Sequence, residues 1–204
     1  HEGNPFADLN VRKAIAYAID YNSLLSAAYH GDRYYSLYPP GWEVYNTAQS
    51  VIQYNPTLAA QYLADAGYPQ GLPGSIDLAF RSDKPYEPLW GAVVQQNLAD
   101  IGITVNLVPL DLSTFLAQTL DPGLPMFFYQ HQFLYADPDY SAYFCYHTDG
   151  GGAKRFGIND PVLDAMIMEA RQEIDWATRV TMYQQIQNYG NIDILNFALI
   201  GREQ

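Results

Sequence analysis

The sequence predicts an α/β protein in which a mixed, mostly parallel sheet is flanked by helices. Three short apolar segments predict strands, and they lie at residues 76–80, 103–107 and 125–130. Apolar residues at helical spacing lie between and around these segments. Because parallel strands need a crossover connection, usually a helix, this order favours parallel pairing over a series of hairpins.

The predicted helices are marked by apolar stripes and by capping residues. The stripe of the first helix consists of Val11, Ala14, Ile15, Ala18 and Ile19. A further helix is predicted over residues 85–101, with a stop at Gly102. Side-chain acceptors that can cap later helices are Asn55, Asp111, Asp137, Asp160 and Asp175. A last strand is predicted at residues 194–201.

Two segments rich in glycine, proline or tyrosine are predicted to be loops. Residues 30–46 contain a proline pair and show no periodicity, so they are predicted to form a long, functional loop. Residues 149–155, DGGGAKR, do not satisfy the phosphate-loop pattern and are interpreted as a flexible surface loop.

Composition limits the possible partners. The chain has 22 acidic residues against 10 Lys and Arg, a formal charge of −12, which disfavours nucleic acid as a partner. No apolar run reaches the length of a membrane span. Aromatic residues make up 15% of the chain, and tyrosines concentrate at residues 34–45 and 129–146. Such clusters are typical of a hydrated ligand-binding surface or of the boundary of a hydrophobic core.

The sequence shows no arrangement that predicts catalysis, a cofactor or a bound metal. Cys145 is the one cysteine, and its neighbour His147 is two residues away, a poor spacing for a nucleophile and its base. The histidines form no zinc-binding pattern. A hydrolase built on Asp137, Asp139 and Asp149 remains an alternative, as does a protein-interaction domain.

Five segments in order resemble the type-5 extracellular solute-binding family. They are NPFADLNVRKAIAYAIDYNSLL, YNPTLAAQYLADAGYPQG, VVQQNLADIGITVNLVPLDLSTFLAQT, YADPDYSAYFCYHTDGGG and INDPVLDAMIMEARQEIDWATRVTMYQQIQ. The resemblance covers the chain from about Pro5 onward. It implies a type II periplasmic-binding-protein lobe over residues 1–204, specifically the C-terminal lobe of a two-lobe protein that closes on its ligand.

The resemblance also implies a non-catalytic function. The intact protein would capture a peptide-like or oligosaccharide solute for an ABC permease, in the periplasm or outside the cell. One form that the resemblance allows is a full-length protein attached to the membrane by a lipid anchor. Its partners would be the solute, the N-terminal lobe and the permease. Nucleic acid is not expected as a partner.

The residues after the third strand are the predicted ligand contacts, because ligands bind beyond the carboxyl ends of strands in α/β sheets. Peptide-binding relatives carry Gly-Trp and then an amine-binding Asp here, whereas this chain has Gln130-His131 and Leu134. An amine anchor is therefore not expected, and a sugar or modified peptide becomes credible. The predicted contacts are Gln130, His131, Gln132, Phe133 and Tyr135, with Tyr38 and Trp42 from the long loop.

Overall fold

A computed structural model gives the fold of the chain. It describes residues 4–28, 36–45, 52–120, 124–131, 134 and 136–195. The chain divides into two compact units. We call His1–Arg33, Ile52–Tyr129 and Ile200–Gln204 the sheet unit, and Tyr34–Val51 and Gln130–Leu199 the helical unit.

The sheet unit contains three parallel strands. They are β1 (Ser75–Arg81), β2 (Thr104–Leu110) and β3 (Met126–Phe127), in the spatial order β2-β1-β3. Ile76 pairs with Val105, and Leu78 pairs with both Leu107 and Met126. The predicted α/β fold with a mostly parallel sheet is therefore confirmed, and the three described strands all pair in parallel. The strand β3 is shorter than the strand predicted at residues 125–130.

Helices pack on this sheet and on one another. They are α1 (Leu9–Ala18), α2 (Tyr21–Ala28), α3 (Pro56–Asp65), α4 (Glu87–Ala99) and α5 (Leu112–Gln118), with a short 3-10 turn at Pro5–Ala7. The helix predicted over residues 85–101 is α4, and it ends earlier because Gly102 adopts a left-handed φ of 80° and turns the chain into β2. In that turn the Ile103 N–H donates to the Leu98 carbonyl at 2.9 Å.

Within the residues that the structure describes, the helical unit contains four α-helices, a π-helical turn and part of the long loop. The helices are α6 (Pro138–Tyr146), α7 (Gly151–Phe156), α8 (Pro161–Gln172) and α9 (Trp176–Tyr189), and residues 36–45 form no helix or strand, as predicted. Their shared core contains Tyr146, Leu163, Ile167, Tyr183 and Ile186, all inaccessible to solvent.

The interpretation of residues 149–155 as a flexible loop is wrong, because most of them form α7. Gly152 is buried, and a Cβ there would lie 2.7 Å from Cε1 of Phe144. The glycines are therefore explained by the close packing of α7 against α6.

The end of the chain also differs from the prediction. Gly190–Ile194 form a π-helical turn, and Leu195 follows in the left-handed region with a φ of 46°. The first residues of the strand predicted at 194–201 are therefore not extended, and residues 196–201 lie outside the described part of the chain.

Candidate functional site

The candidate site is built around His131, four residues after β3 in the chain. The His131 ring is nearly parallel to the rings of Phe144 and Tyr140, at 21° to each, with centroid distances of 5.1 and 5.7 Å. Tyr140 and Phe144 lie 6.0 Å apart at 24°. We call these three half-buried side chains the ring platform.

Helix α6 positions two of the three rings. Its N-terminus is fixed by Asp137, whose carboxylate accepts the Asp139 N–H at 2.8 Å, and by Pro138 in the first turn. Tyr140 and Phe144 are four residues apart, so a helix places them on one face. The predicted helix start at Asp137 and Pro138 is confirmed.

A buried serine orients the His131 ring. Ser141 is inaccessible to solvent, and its Oγ shares a hydrogen bond of 3.0 Å with Nε2 of His131. Burial lowers the pKa of His131 to about 4. The imidazole is therefore neutral near pH 7 and presents a flat, weakly polar surface rather than a cation.

The acidic residues at the start of α6 are engaged in ion pairs. Arg179 donates to both carboxylate oxygens of Asp137, at 3.2 and 3.0 Å. Burial tends to raise the pKa of Asp137, but the Arg179 hydrogen bonds, the Asp139 N–H and the guanidinium charge outweigh it, so that pKa lies below its usual range. Asp139 contacts Arg171 at 3.2 Å and accepts a hydrogen bond from the Tyr183 hydroxyl, also at 3.2 Å.

These contacts argue against the hydrolase alternative. A glycosidase needs a carboxylic acid with a raised pKa facing a second carboxylate. Asp137 has a lowered pKa, and Asp149 is exposed and lies 4.0 Å from Lys154. The three acids therefore have the partners expected of structural or solvated charges.

The cysteine is a core residue. Cys145 is buried in the helical unit, and burial raises the pKa of its thiol far above its usual range. His147 stacks on Tyr143 at 4.3 Å, and its Nδ1 accepts the Asp149 N–H at 3.1 Å. Within the described residues, no group of three His, Cys, Asp or Glu side chains could hold a metal ion.

The two predicted contacts from the long loop differ in exposure. Tyr38 is wholly buried, and its hydroxyl donates to the Pro138 carbonyl at 3.2 Å. Trp42 is half-buried and nearly parallel to Tyr38, with ring centroids 6.2 Å apart at 15°. Tyr38 is therefore a core residue against which the Trp42 ring stacks.

The rest of the segment after β3, which holds the other predicted contacts and Leu134, is described only in part. Gln130 is exposed, and Leu134 is 71% exposed, so both side chains reach solvent in the helical unit. Gln132, Phe133 and Tyr135 lie outside the described residues.

Sequence reasoning missed three residues that the structure brings to His131: Tyr140, Ser141 and Phe144. The available signal was a pair of aromatic residues four positions apart, directly after the Asp137-Pro138 helix start. That signal could place the rings on one helix face, but it could not show which loop residue would meet them.

The sheet unit has a separate polar cluster at the carboxyl end of β1. Arg81 forms a two-pronged pair with Asp83, with Nε donating to Oδ1 at 3.0 Å. Glu87 is buried, and its carboxylate accepts the Arg81 N–H at 2.6 Å. Burial raises the pKa of Glu87 despite that hydrogen bond. Arg81 thus has an acidic partner within the chain.

The sequence of the chain is similar to those of a family of known proteins. The family model of bacterial extracellular solute-binding proteins, family 5 Middle, matches residues 1–153. Heme-binding protein A of Haemophilus influenzae is 26% identical over an alignment of 192 positions, which covers 91% of this chain and 35% of that protein. The dipeptide-binding protein of Escherichia coli is 27% identical over an alignment of 199 positions, which covers 90% of this chain and 35% of that protein.

Solved structures show the same fold. The ABC transporter-associated periplasmic binding protein DppA from Helicobacter pylori, in complex with peptide STSA, matches with a TM-score of 0.86 at 22% identity. The match covers 96% of this chain and 38% of that one. The predicted periplasmic-binding-protein fold is therefore confirmed. The chain spans about a third of the length of these curated relatives, 35% in both cases.

Proposed function

Since the chain belongs to family 5 of the bacterial extracellular solute-binding proteins, we propose that it is the C-terminal, ligand-contacting lobe of a protein that delivers a solute to an ABC importer. The family match over residues 1–153 carries this proposal. The family is one of solute-binding proteins rather than enzymes, which confirms the non-catalytic prediction.

The proposed solute is peptide-like or an oligosaccharide, and it is not held by a free amine. Leu134, 71% exposed, occupies the position at which the family resemblance places the amine-binding Asp. Asp137 and Asp139, which follow closely, are paired with Arg179 and Arg171. An ammonium group would have to compete with an arginine for either carboxylate.

The proposed contacts lie in one segment and one loop. The contacts from the segment after β3 would be Gln130, His131, Gln132, Phe133 and Tyr135. Trp42 of the long loop would also contact the solute, with its ring stacked against that of Tyr38. Amides and imidazole bond neutral hydroxyl and amide groups, and aromatic rings supply flat apolar area.

Binding is proposed to require the rest of the protein. Relatives are about three times as long as this chain, which covers 35% of the Escherichia coli dipeptide-binding protein. A second lobe would close over the solute and add roughly half of the contacts. The intact protein is proposed to work in the periplasm or outside the cell, either free or attached to the membrane by a lipid anchor. Its proposed partner is an ABC permease. The structure shows no membrane-spanning helix among the described residues.

The test is to identify what the intact protein carries and to compare it with the fragment. Native mass spectrometry of the intact binding protein, purified from its host, should show a bound small solute. Isothermal titration with that solute should give a Kd at least about a hundredfold lower for the intact protein than for residues 1–204, because half of the contacts are missing from the fragment. Equal affinities would contradict the two-lobe proposal.

A further inference from the structure

We propose that Gln187 of α9 is a positioning residue for solute binding, because it holds the long loop in one conformation. This role rests on the proposed function, in which Trp42 of that loop contacts the solute. Gln187 itself is buried and is not among the proposed contacts, so it acts on affinity through the loop.

The Gln187 amide joins the two ends of the described part of the loop, residues 36–45. Its Oε1 accepts hydrogen bonds from the Ser36 hydroxyl at 2.7 Å and from the Leu37 N–H at 2.8 Å. Its Nε2 donates to the Val44 carbonyl over a longer distance, 3.5 Å. A backbone N–H can only donate and a carbonyl can only accept, so these partners fix which end of the amide is the oxygen. One side chain therefore ties the start of the loop to its end.

Burial makes these hydrogen bonds important for the conformation of the loop. Gln187 and Ser36 are both inaccessible to solvent. The Ser36 hydroxyl also accepts the Tyr38 N–H at 3.0 Å, which extends the network along the loop. Water cannot reach a buried donor that has lost its acceptor, so an apolar side chain at position 187 penalises the native loop conformation.

Trp42 lies between the two tied ends of the loop. Gly41, which precedes it, has a φ of 94°, and the Trp42 N–H donates to the Pro39 carbonyl at 3.3 Å. The position of Trp42 is therefore set by the backbone of the loop. If the ends are released, the protein binds with full affinity only in the fraction of molecules whose loop keeps this conformation.

Gln184 provides a matched control on the same helix. Its Nε2 donates to the Glu43 carbonyl of the loop at 3.4 Å, but this hydrogen bond is exposed. Water can replace an exposed hydrogen bond, so its loss should disturb the loop much less than the loss of the buried one at Gln187.

The first experiment measures the loop directly, by hydrogen exchange of the intact protein followed by mass spectrometry. Gln187→Met should speed exchange in peptides that contain residues 37–45 and leave α8 unchanged. Gln184→Met should stay near wild type. Loop exchange that is unchanged in Gln187→Met overturns the inference.

The second experiment measures affinity, and its probe is the solute that copurifies with the intact protein. Native mass spectra recorded during stepwise dilution give the loaded fraction and hence the Kd. If Gln187→Met lowers the ordered fraction of the loop to about one tenth, the Kd should rise about tenfold. Gln184→Met should leave the Kd near its wild-type value. Asp160→Ala should do the same, because it removes the cap that α8 receives through the Leu163 N–H at 2.7 Å and thus destabilises the same unit without removing a loop hydrogen bond of Gln187.

A double-mutant cycle separates positioning from general destabilisation. Trp42→Ala should weaken binding, and adding Gln187→Met to it should weaken binding little further, because the residue to be positioned is gone. Circular dichroism checks that each variant folds. If Gln187→Met does not fold, Ser36→Ala tests the same network from the loop side and should give a smaller change of the same kind.

The outcomes distinguish this inference from the proposed function. A wild-type protein that carries no solute contradicts both. A loaded wild type overturns the inference alone if the Kd is unchanged in Gln187→Met, or in Ser36→Ala where that variant replaces it. An equal rise of the Kd in Asp160→Ala, or effects of Gln187→Met and Trp42→Ala that simply add, also overturns the inference alone.

Discussion

The ion pair between Asp137 and Arg179 should stabilise the helical unit and hold α6 in place. Asp137 has two tasks. Its carboxylate caps α6 by accepting the Asp139 N–H at 2.8 Å, and it also accepts hydrogen bonds from Nη1 and Nη2 of Arg179. Asp137→Asn keeps an oxygen for the cap but removes the charge. Asp137→Ala removes both interactions.

The magnitudes follow from these two tasks. Loss of an N-cap costs about 0.5 to 2 kcal/mol, and a partly exposed ion pair contributes about 0.2 to 1 kcal/mol. The Asp137 side chain is 41% exposed and that of Arg179 is 16% exposed, so solvent screens the pair only in part. We expect Asp137→Asn to lower the free energy of unfolding by about 0.5 to 1 kcal/mol, and Asp137→Ala by about 1 to 3 kcal/mol.

Urea unfolding followed by circular dichroism provides the measurement, with Asp175 as the matched control. Asp175 caps α9 by accepting the Thr178 N–H at 2.9 Å, and it has no ion pair with any residue in the described part of the chain. Asp175→Asn should therefore be nearly neutral, because Asn and Asp cap about equally well. A double-mutant cycle of Asp137→Asn with Arg179→Met isolates the pair.

The pH dependence gives an independent check of sign. Because the pKa of Asp137 is lowered in the folded protein, its stabilising contribution is fully present above the unfolded pKa of about 3.9. It is lost as the pH falls through the lower, folded pKa. The stability difference between wild type and Asp137→Asn should therefore shrink below about pH 4. A coupling energy near zero, or an Asp175→Asn effect as large as that of Asp137→Asn, would refute the reasoning.

Four further predictions concern single residues. Burial lowers the pKa of His131 to about 4 in the folded protein, against about 6.5 in the unfolded chain. Between these two pH values only the unfolded state gains a proton, so the free energy of unfolding should fall from pH 6.5 towards pH 4. The fall should be smaller in His131→Phe, and identical thermal melting profiles of the two proteins over this pH range would contradict the prediction. Cys145 should not react with a thiol reagent in the native protein but should react fully in urea, because it is 2% exposed; rapid native labelling would disagree. Gly190→Ala should destabilise by about 1 to 3 kcal/mol in a urea titration, because its Cβ would overlap the Tyr146 ring, and a neutral result would show that the π-helical turn can shift. Leu134→Asp should give the intact protein a measurable preference for a free-amine dipeptide over its N-acetyl form, and calorimetry showing no change would count against the assignment of this position to the missing amine anchor.

Prediction from sequence worked best where a structural feature depends on neighbouring residues. The helix starts at Asn55, Asp111, Asp160 and Asp175 are all confirmed, with each side chain accepting an N–H two or three residues further along. The parallel strands followed from the spacing of apolar segments, because helices between strands leave little room for hairpins. The candidate segment after β3 rests on a rule about sheets and on the family resemblance, and its contact with a ligand stays a prediction.

Prediction was less successful where distant residues set the backbone. Residues 149–155 look like a flexible loop by composition, but Phe144 on another helix requires glycine there. At residue 194, where the sequence predicts a strand, the chain is still in a π-helical turn, in which Asn191 accepts a hydrogen bond from the buried Tyr146 hydroxyl. Neither partner is adjacent in the sequence.

The sequence by itself determined the α/β class, the caps and the family, because these depend on local hydrogen bonding, periodicity and the order of short motifs. Only the tertiary structure decided that His131 stacks with Tyr140 and Phe144, and that Asp137 and Asp139 face arginines from α9 and α8. The Asp137–Arg179 pair joins residues 42 positions apart. Side-chain contacts over such separations depend on how the helices pack, and no local pattern in the sequence encodes them.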